Sequence, residues 1–448
     1  NFSRRAVPGQ KKISVYSTKT LKMAGGLMQL VAYGAQDVYL TGNPKVTFFQ
    51  AVYKRHTNFA MENIEQTTNG NPANNGRISV TVARNGDLIG DMYVELSSKA
   101  SLTSKSGATD CNWVAERAIK TAELSIGGQR IDKHYQRWWR LYSELYLDES
   151  KKANYAKMTT GKGQVFLPLI FFFNRNPGLY LPLIALQYHE VRIDFDLSDM
   201  FEAYFGTNTF KVWGNYVYLD TEERRRFAQK GHEYLIEQVQ HTGVDAVTSG
   251  DTKNIRLSYN HPVKELVWAV TGASSAEDKL WNFSSNVATG DVVVESDPTA
   301  VSESNCYVPL TQATGVPLFS AGANGGLRLV EEGASSAAAV GPLDTFKLVL
   351  NGQDRFKEQT GKYFNQVQPF NHHSGCPMPG VYAYSFALKP EEHQPTGTCN
   401  FSRIDNAQVA LKIKSSMASG AATSLNMFAT NYNVLRIQSG MGGLAFSN

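Results

Sequence analysis

The chain has 448 residues, of which 42% are hydrophobic, 11% aromatic and 19% charged. This balance excludes a chain that is disordered throughout, and the length suffices for two or three domains with cores of their own. The aromatic content and the 37 glycines favour sheets and tight turns over helical bundles.

The formal net charge of +4 is misleading, because residues 1–22 contain six of the 44 Lys and Arg residues and no acid. The other 38 basic residues face 40 acidic ones, so the body is near neutral and no specific nucleic-acid binding is expected. We expect residues 1–22 to be a solvated basic N-terminal extension. The alternative is an arm that contacts nucleic acid, anionic lipid or a partner.

No apolar run reaches the roughly 20 residues of a membrane-spanning helix. The longest run, at 165–173, predicts a buried strand. Residues 1–22 lack the apolar stretch of a secretory signal. The cysteines are widely spaced without a CxxC pair, so we expect free thiols in a reducing compartment. A disulfide between two of them remains the alternative. The four cysteines are Cys111, Cys306, Cys376 and Cys399.

Alternation of apolar and polar residues predicts strands through most of the body. The alternating runs lie at 78–82, 92–96, 191–197 and 409–413. Asn85-Gly86 predicts a hairpin between the first two runs, because both residues tolerate positive φ. Gly127-Gly128 predicts another hairpin between 123–126 and 129–132.

Two segments predict helices. Residues 133–146 carry apolar side chains at spacings of three and four, which is typical of an amphipathic helix. Residues 221–227 begin with acids and follow Asp220 or Thr221 as N-cap, and their charges predict a solvated face.

The sequence at 126–131 resembles that at 350–356, half a chain away, since each places a Gly-Gln turn between apolar residues. This similarity indicates a tandem duplication of one sandwich, with a seam at 220–231. Residues 271–345 are dominated by Ser, Ala, Gly, Thr and Val and predict long surface loops. Shorter loops are predicted at 97–112 and 150–163.

The chain lacks the nucleotide-binding, zinc-protease and serine-hydrolase motifs. His372, His373 and Cys376 supply three potential metal ligands, but a fourth ligand and the usual spacing are missing. Asp194 and Asp196 share one side of a strand, as a glycosidase pair would, but strict alternation predicts that this side faces solvent. We therefore predict no catalytic, cofactor-binding or metal-binding residue and no cofactor.

Three Asn-x-Ser triplets occur, at Asn1, Asn282 and Asn400. Asn282, in the predicted long loop, and Asn400 are the candidate glycosylation sites.

Several blocks of sequence resemble the major capsid proteins of large nucleocytoplasmic DNA viruses, most closely the phycodnavirus type. Among them are GGQRIDKHY at 127–135 and LPLIALQYHEV at 181–191. The matching blocks run in order along the chain, at 23–27, 29–44, 47–60, 84–88, 126–135, 168–174, 181–191, 232–238, 350–356, 397–406 and 431–436.

The resemblance implies an all-β double jelly roll: two tandem eight-stranded antiparallel sandwiches at 23–220 and 221–448, with a few short helices and long loops. It implies a homotrimeric, pseudo-hexagonal capsomer that tiles the outer icosahedral shell of the virion over an internal viral membrane. Its partners would be itself, neighbouring capsomers, and minor capsid and penton proteins, and assembly would take place in the host cytoplasm. Residues 1–22 have no counterpart in the family.

Two other functions would each need a specific sequence feature. A jelly-roll, lectin-like attachment module would carry aromatic residues at its loop tips, where Trp281 and Phe283 form the one such pair. A metal-dependent cupin or a glycosidase would cluster histidines on one sheet, but the nine His residues are scattered.

Overall fold

The computed structural model describes residues 31–32, 34–45, 53–102, 113–247, 250–272, 342–375, 377, 380–413 and 423–446, with four short strands between 293 and 329. The chain divides into two compact units, Asn1–Thr57 and Asn58–Asn448. The described part of the first unit contains helix α1, Val38–Thr41. All elements below belong to the second unit, in which we call residues 58–220 the first half and 221–448 the second half.

The described strands of the first half form two antiparallel sheets. Sheet 1 has the order β1-β10-β4-β7, with β8 beside β4, and sheet 2 has the order β2-β3-β9-β5-β6. The strands are β1 Phe59–Gln66, β2 Thr68–Gly70, β3 Arg77–Thr81, β4 Leu88–Ser98, β5 Ile119–Ile126, β6 Gln129–Tyr135, β7 Gly163–Pro168, β8 Leu181–Pro182, β9 Val191–Leu197 and β10 Phe205–Leu219.

The second half repeats this arrangement. Sheet 3 has the order β11-β24-β13-β21, with β22 beside β13 and β25 beside β24, and sheet 4 has the order β12-β23-β18-β19, with β20 beside β18. The strands are β11 His232–Val247, β12 Thr252–Leu257, β13 Pro262–Gly272, β18 Leu343–Leu350, β19 Gln353–Asp354, β20 Gln359–Thr360, β21 Val381–Ser385, β22 Cys399–Asn400, β23 Ala407–Ile413, β24 Thr423–Gln438 and β25 Met441–Leu444. Two short pairs intervene: β14 Val293–Val294 with β15 Pro309–Leu310, and β16 Phe319–Ala321 with β17 Leu327–Leu329.

The helices are short and occupy connections. They are α2 Gln136–Tyr146, α3 Glu149–Thr159, α4 Phe172–Arg175, α5 Phe201–Tyr204, α6 Thr221–Gln229 and α7 Gln368–His372, with 3₁₀ turns at Val114–Arg117, Pro177–Leu179 and Phe401–Arg403 and a π-helix at Tyr363–Val367. In the part of the chain that the structure describes, no helix has the length and apolar character to cross a membrane.

In both halves the first long strand of the half pairs with its last long strand, and the chain passes several times from one sheet of the half to the other. Such repeated crossing, with apolar residues of both sheets turned toward a shared core, is the arrangement of a jelly roll. The predicted double jelly roll is confirmed.

The boundary between residues 220 and 221 stays a prediction. Helix α6 begins there. The Asp220 side chain accepts a hydrogen bond from the Thr221 amide, as predicted for an N-cap.

The two similar segments form the same turn in the two halves. Ile126 pairs with Gln129 across Gly127 and Gly128, whose φ angles are 57° and 82°. Leu350 pairs with Gln353 across two residues with φ angles of 50° and 79°. Two successive positive φ angles define the turn that fits the twist of a two-residue hairpin. The predicted hairpin at Gly127-Gly128 is confirmed, and the sequence similarity corresponds to a structural repeat.

The predicted hairpin at Asn85-Gly86 is wrong. Strand β3 lies in sheet 2 and β4 in sheet 1, so the chain crosses from one sheet to the other instead of folding back. Tyr216 packs directly on this crossing, since a Cβ atom on Gly86 would lie 2.9 Å from that of Tyr216. Glycine is therefore needed here for close approach of a neighbouring strand rather than for a two-residue turn.

Four other predicted segments also differ from the structure. The predicted helix at 133–146 begins at Gln136, because residues 133–135 extend β6. The apolar run at 165–173 leaves the sheet after Pro168, which has no amide hydrogen to donate. The loop predicted at 150–163 is mostly helix α3, which begins after Asp148, whose carboxylate accepts a hydrogen bond from the Lys151 amide. Of the loop predicted at 271–345, β13 reaches Gly272 and β18 begins at Leu343, while most residues between them lie outside the described part.

Candidate assembly site: the junction of the two halves and an exposed sheet face

Strand β13 is buried on both of its faces. Leu266 and Trp268 point into the core of the second half, whereas Val267 and Ala269 belong to the core of the first half. All four side chains are fully buried. A sheet that is buried on both faces needs another layer on its outer side. Sheet 3 therefore contributes to both cores and fastens the two halves together.

Helix α2 supplies that outer layer. Its apolar residues recur at spacings of three and four and so lie on one side of the helix. The ring centroid of Trp138 lies 5.5 Å from that of Phe428 on β24. The Tyr146 hydroxyl donates a hydrogen bond of 2.5 Å to Oε2 of Glu265 on β13. Thus a helix of the first half covers the outer face of sheet 3 in the second half.

A buried group of charges lies along the same junction. Glu237 on β11 forms ion pairs with Arg175 of α4 at 2.9 Å and with Lys264 of β13 at 2.7 Å. Burial alone would raise the pKa of Glu237, but the two cations outweigh it and hold that pKa below its ordinary value. Burial lowers the pKa of Lys264 in spite of its acidic neighbours. Moving one half against the other would separate Arg175 from the buried Glu237, so this group favours a single arrangement of the two halves.

His373 extends this charge group from the segment after α7. Its Nε2 contacts a carboxylate oxygen of Glu265, and its Nδ1 lies 3.3 Å from Oε1 of Glu391. Burial would lower the pKa of His373, but the two glutamates overcome this effect and raise the pKa to about 9. The imidazole is therefore charged at neutral pH and compensates the buried carboxylate of Glu265.

The outer face of sheet 1, by contrast, is open. Tyr93 and Glu95 on β4, Phe166 on β7 and Trp213 on β10 lie on this face and are half-buried. The rings of Tyr93 and Phe166 meet edge to face at 5.6 Å. The indole of Trp213 donates a hydrogen bond of 2.6 Å to Glu95, which holds the carboxylate among the three rings. Half-exposed aromatic side chains that cluster on a sheet face are typical of a surface that binds protein.

The candidate glycosylation sites have different outcomes. Asn400 is exposed in β22, and its Oδ1 accepts a hydrogen bond of 3.0 Å from the Ser402 amide. Asn282 lies outside the described residues, as do Asn1 and the aromatic pair Trp281 and Phe283. Modification of Asn282 and Asn400 stays a prediction.

The two described members of the potential metal-ligand set, His372 and His373, have separate partners. His372 makes a hydrogen bond of 2.9 Å with the Leu388 carbonyl, His373 lies between two glutamates, and Cys376 is outside the described residues. Among the residues that are described, no three His, Cys, Asp or Glu side chains are placed to hold one metal ion. Cys399 is a free thiol, and the other three cysteines lie outside the described part.

Asp194 does not face solvent as predicted, because it is only 9% exposed. Its carboxylate accepts hydrogen bonds from Ser79 at 2.6 Å and from Arg192 at 2.8 Å, and Arg77 lies 3.2 Å away. Burial alone would raise the pKa of Asp194, but these hydrogen bonds lower it. Asp196 is half-exposed and is held by Thr121 and Arg77. The side chains of Arg77 and Arg192 lie over the strand and cover Asp194. Asp194 and Asp196 therefore form ionic contacts between strands.

Sequence patterns alone did not predict the junction. One signal for it was present: the continuous apolar run at 266–270, without alternation, is typical of a strand buried on both faces. The charge group had no such signal, because Arg175, Glu237, Lys264 and His373 lie far apart in sequence and meet only in the fold.

Two jelly rolls that share a buried sheet define a structural building block of the double jelly-roll class. A family model described as large eukaryotic DNA virus major capsid protein matches residues 223–443, and one described as major capsid protein N-terminus matches residues 47–220. The chain belongs to the family of major capsid proteins of large DNA viruses. The resemblance noted in the sequence is thereby confirmed.

Individual relatives agree with this assignment. The chain is 44% identical to the major capsid protein of Paramecium bursaria Chlorella virus 1, over 95% of this chain and 100% of the relative. It is 41% identical to the major capsid protein of Pyramimonas orientalis virus, with the same coverage. The crystal structure of PBCV-1 VP54 matches with a TM-score of 0.70 and 38% identity, over 90% of this chain and 100% of the other. The Faustovirus major capsid protein shares the fold, with a TM-score of 0.66 at 14% identity over 91% and 94% of the two chains.

These findings make the protein a structural component of the virion shell. The family is structural and non-enzymatic, which confirms the prediction that the chain is not an enzyme.

Proposed function

We propose that three copies of the chain form a pseudo-hexagonal capsomer and that this capsomer tiles an icosahedral shell. The observation that carries the proposal is the repeated strand order of sheets 1 and 3 within one compact unit. Three copies with two similar halves each provide six similar blocks around one axis. A junction that is buried and paired through Arg175 and Glu237 keeps the two blocks of each copy in a fixed arrangement, as tiling requires.

The surroundings of the capsomer follow from the family resemblance. We propose that the two jelly rolls span residues 23–220 and 221–448, that the shell encloses an internal viral membrane, and that minor capsid and penton proteins bind it. Assembly in the host cytoplasm belongs to the same proposal. The basic extension at 1–22 is proposed to lie on the inner face near anionic lipid, and unchanged assembly and lipid association after its deletion would contradict this placement.

Glycans at Asn400 and Asn282 are part of the proposal, since exposure of Asn400 leaves its side chain accessible. Peptide mass spectrometry of protein from intact virions tests both positions. An added sugar mass on either peptide supports glycosylation at that site. Detection of the unmodified peptide alone would contradict it.

The trimer is tested by light scattering on purified protein, before and after mild heating. We expect a heat-resistant species of about three times the chain mass of 49.5 kDa. Obligate interfaces of this kind bury more than about 2,000 Å², which is why the species should survive dilution. A monomer under all conditions would contradict the capsomer.

A further inference from the structure

The segment that connects β20 to β21 in the second half corresponds to the segment with α2 in the first half. Both follow the turn described above and both lead into the last strand along the order of their sheet, β7 or β21. In the first half this connection covers sheet 3. In the second half it forms the π-helix and α7, whose Val367 and Phe370 side chains are 42% and 87% exposed. Leu388, 72% exposed, lies beside them, since its carbonyl is hydrogen-bonded to His372.

The outer faces of sheets 3 and 1 also differ in how far they are covered. The outer face of sheet 3 is covered by α2, whereas the outer face of sheet 1 carries its cluster of Tyr93, Phe166 and Trp213 half-exposed. Within one chain there is thus a helical segment with exposed apolar side chains and a sheet face without a helix. The two features are the counterparts of the pair that already meets at the junction.

The charges of the two surfaces are complementary. Glu95 and Glu65 lie on the open face of sheet 1, together with Lys211. Residues 361–372 contain Lys362 and no Asp or Glu. At the junction the corresponding strand β13 also turns an acid, Glu265, toward its helix, where it accepts the Tyr146 hydrogen bond. In both places the sheet supplies the carboxylate and the helical segment supplies donors.

We propose that the outer face of sheet 1 binds the 362–372 segment of a second copy of this chain, in the way that sheet 3 binds α2 within the chain. The contact joins a surface of the first half to a different surface of the second half. Such a head-to-tail contact closes into a ring when the rotation between copies fits. This inference rests on the proposed capsomer and identifies the surfaces that hold it together.

The first test is the substitution Phe370→Asp, which should leave the monomer folded because Phe370 is 87% exposed. Tyr188→Asp is the matched control, because Tyr188 is 75% exposed and lies outside both surfaces. We expect Phe370→Asp to abolish the trimer in light scattering, with the circular dichroism of a folded chain, and Tyr188→Asp to remain trimeric. A trimeric Phe370→Asp protein would overturn this inference but leave the capsomer standing. A monomeric wild-type protein would overturn the capsomer itself.

The second test is cross-linking between chains. Two differently tagged copies are co-expressed, one with Phe166→Cys and the other with Phe370→Cys, and oxidised after purification. We expect a disulfide-linked pair that carries both tags, and none when both copies carry Phe166→Cys. The inference would be overturned if only two Phe166→Cys copies became linked. It would also be overturned if a trimeric sample of Phe166→Cys with Phe370→Cys gave no link.

Discussion

Arg175 in α4 and Glu237 in β11 form an ion pair of 2.9 Å that joins the first half of the chain to the second. The carboxylate is nearly buried and also accepts a hydrogen bond from Lys264. A capsid building block needs two domains that do not move relative to each other, and this pair crosses the junction between the two halves.

Arg175→Ala should destabilise the folded chain by about 1–3 kcal/mol, because it removes one of the two cations that pair with the buried Glu237 while Lys264 remains. Chemical denaturation measures the free energy of unfolding. The control is Lys389→Ala, which removes an exposed ion pair with Glu392 and should change little. Equal effects of the two substitutions would contradict a structural role for the junction pair.

His373 should make stability depend on pH above neutrality. Its pKa is about 9 in the folded chain and close to 6.5 when unfolded, so the folded state binds the proton more tightly. The stabilisation is complete below about pH 6.5 and is lost as the pH rises through about 9. We expect His373→Gln to flatten the fall in unfolding free energy between pH 6.5 and 9.

The control for His373 is His241→Gln. Burial lowers the pKa of His241, so its contribution changes at a lower pH. A fall between pH 6.5 and 9 that persists in His373→Gln would assign the titration to another group.

Trp138→Ala should cost about 3–5 kcal/mol, because it opens a cavity between α2 and Phe428 in a shared core. Trp213→Ala, on the half-exposed face of sheet 1, should cost the monomer less. Thermal unfolding of both variants, under conditions that keep them monomeric, compares the two losses of stability. A larger loss for Trp213 would show that its face is already a core within the single chain.

The two hairpin turns should respond alike to alanine. Gly128 and Gly352 have φ angles of 82° and 79° and open space where a Cβ atom would lie, so alanine costs only backbone strain, about 1–2 kcal/mol. Gly206 also has open space but no positive φ, and Gly206→Ala should be neutral or slightly stabilising. Different costs at the two turns, measured by denaturation, would argue against their equivalence.

Local patterns predicted much of the fold. Alternation located β3, β9 and β23, because each has one face on a core and one on solvent or a polar layer. Gly127-Gly128 predicted its hairpin, because both residues adopt positive φ in the turn. The capping residue Asp220 likewise predicted α6.

The errors arose where distant parts of the chain decide the local structure. Asn85-Gly86 has the composition of a hairpin turn, but its φ/ψ preferences do not reveal that Tyr216 packs on it and that the flanking strands enter opposite sheets. Helix α3 has little amphipathic pattern, because it buries Lys152 and Tyr155 along with Ala156. The covered side of Asp194 depends on Arg77 and Ser79 from another strand.

The most direct test of the central claim is electron microscopy of the purified oligomer viewed along its symmetry axis. If three chains with two equivalent halves form the capsomer, class averages will show six similar lobes with three-fold symmetry and a pseudo-hexagonal outline. Particles with three lobes, or with no three-fold axis, would contradict the account.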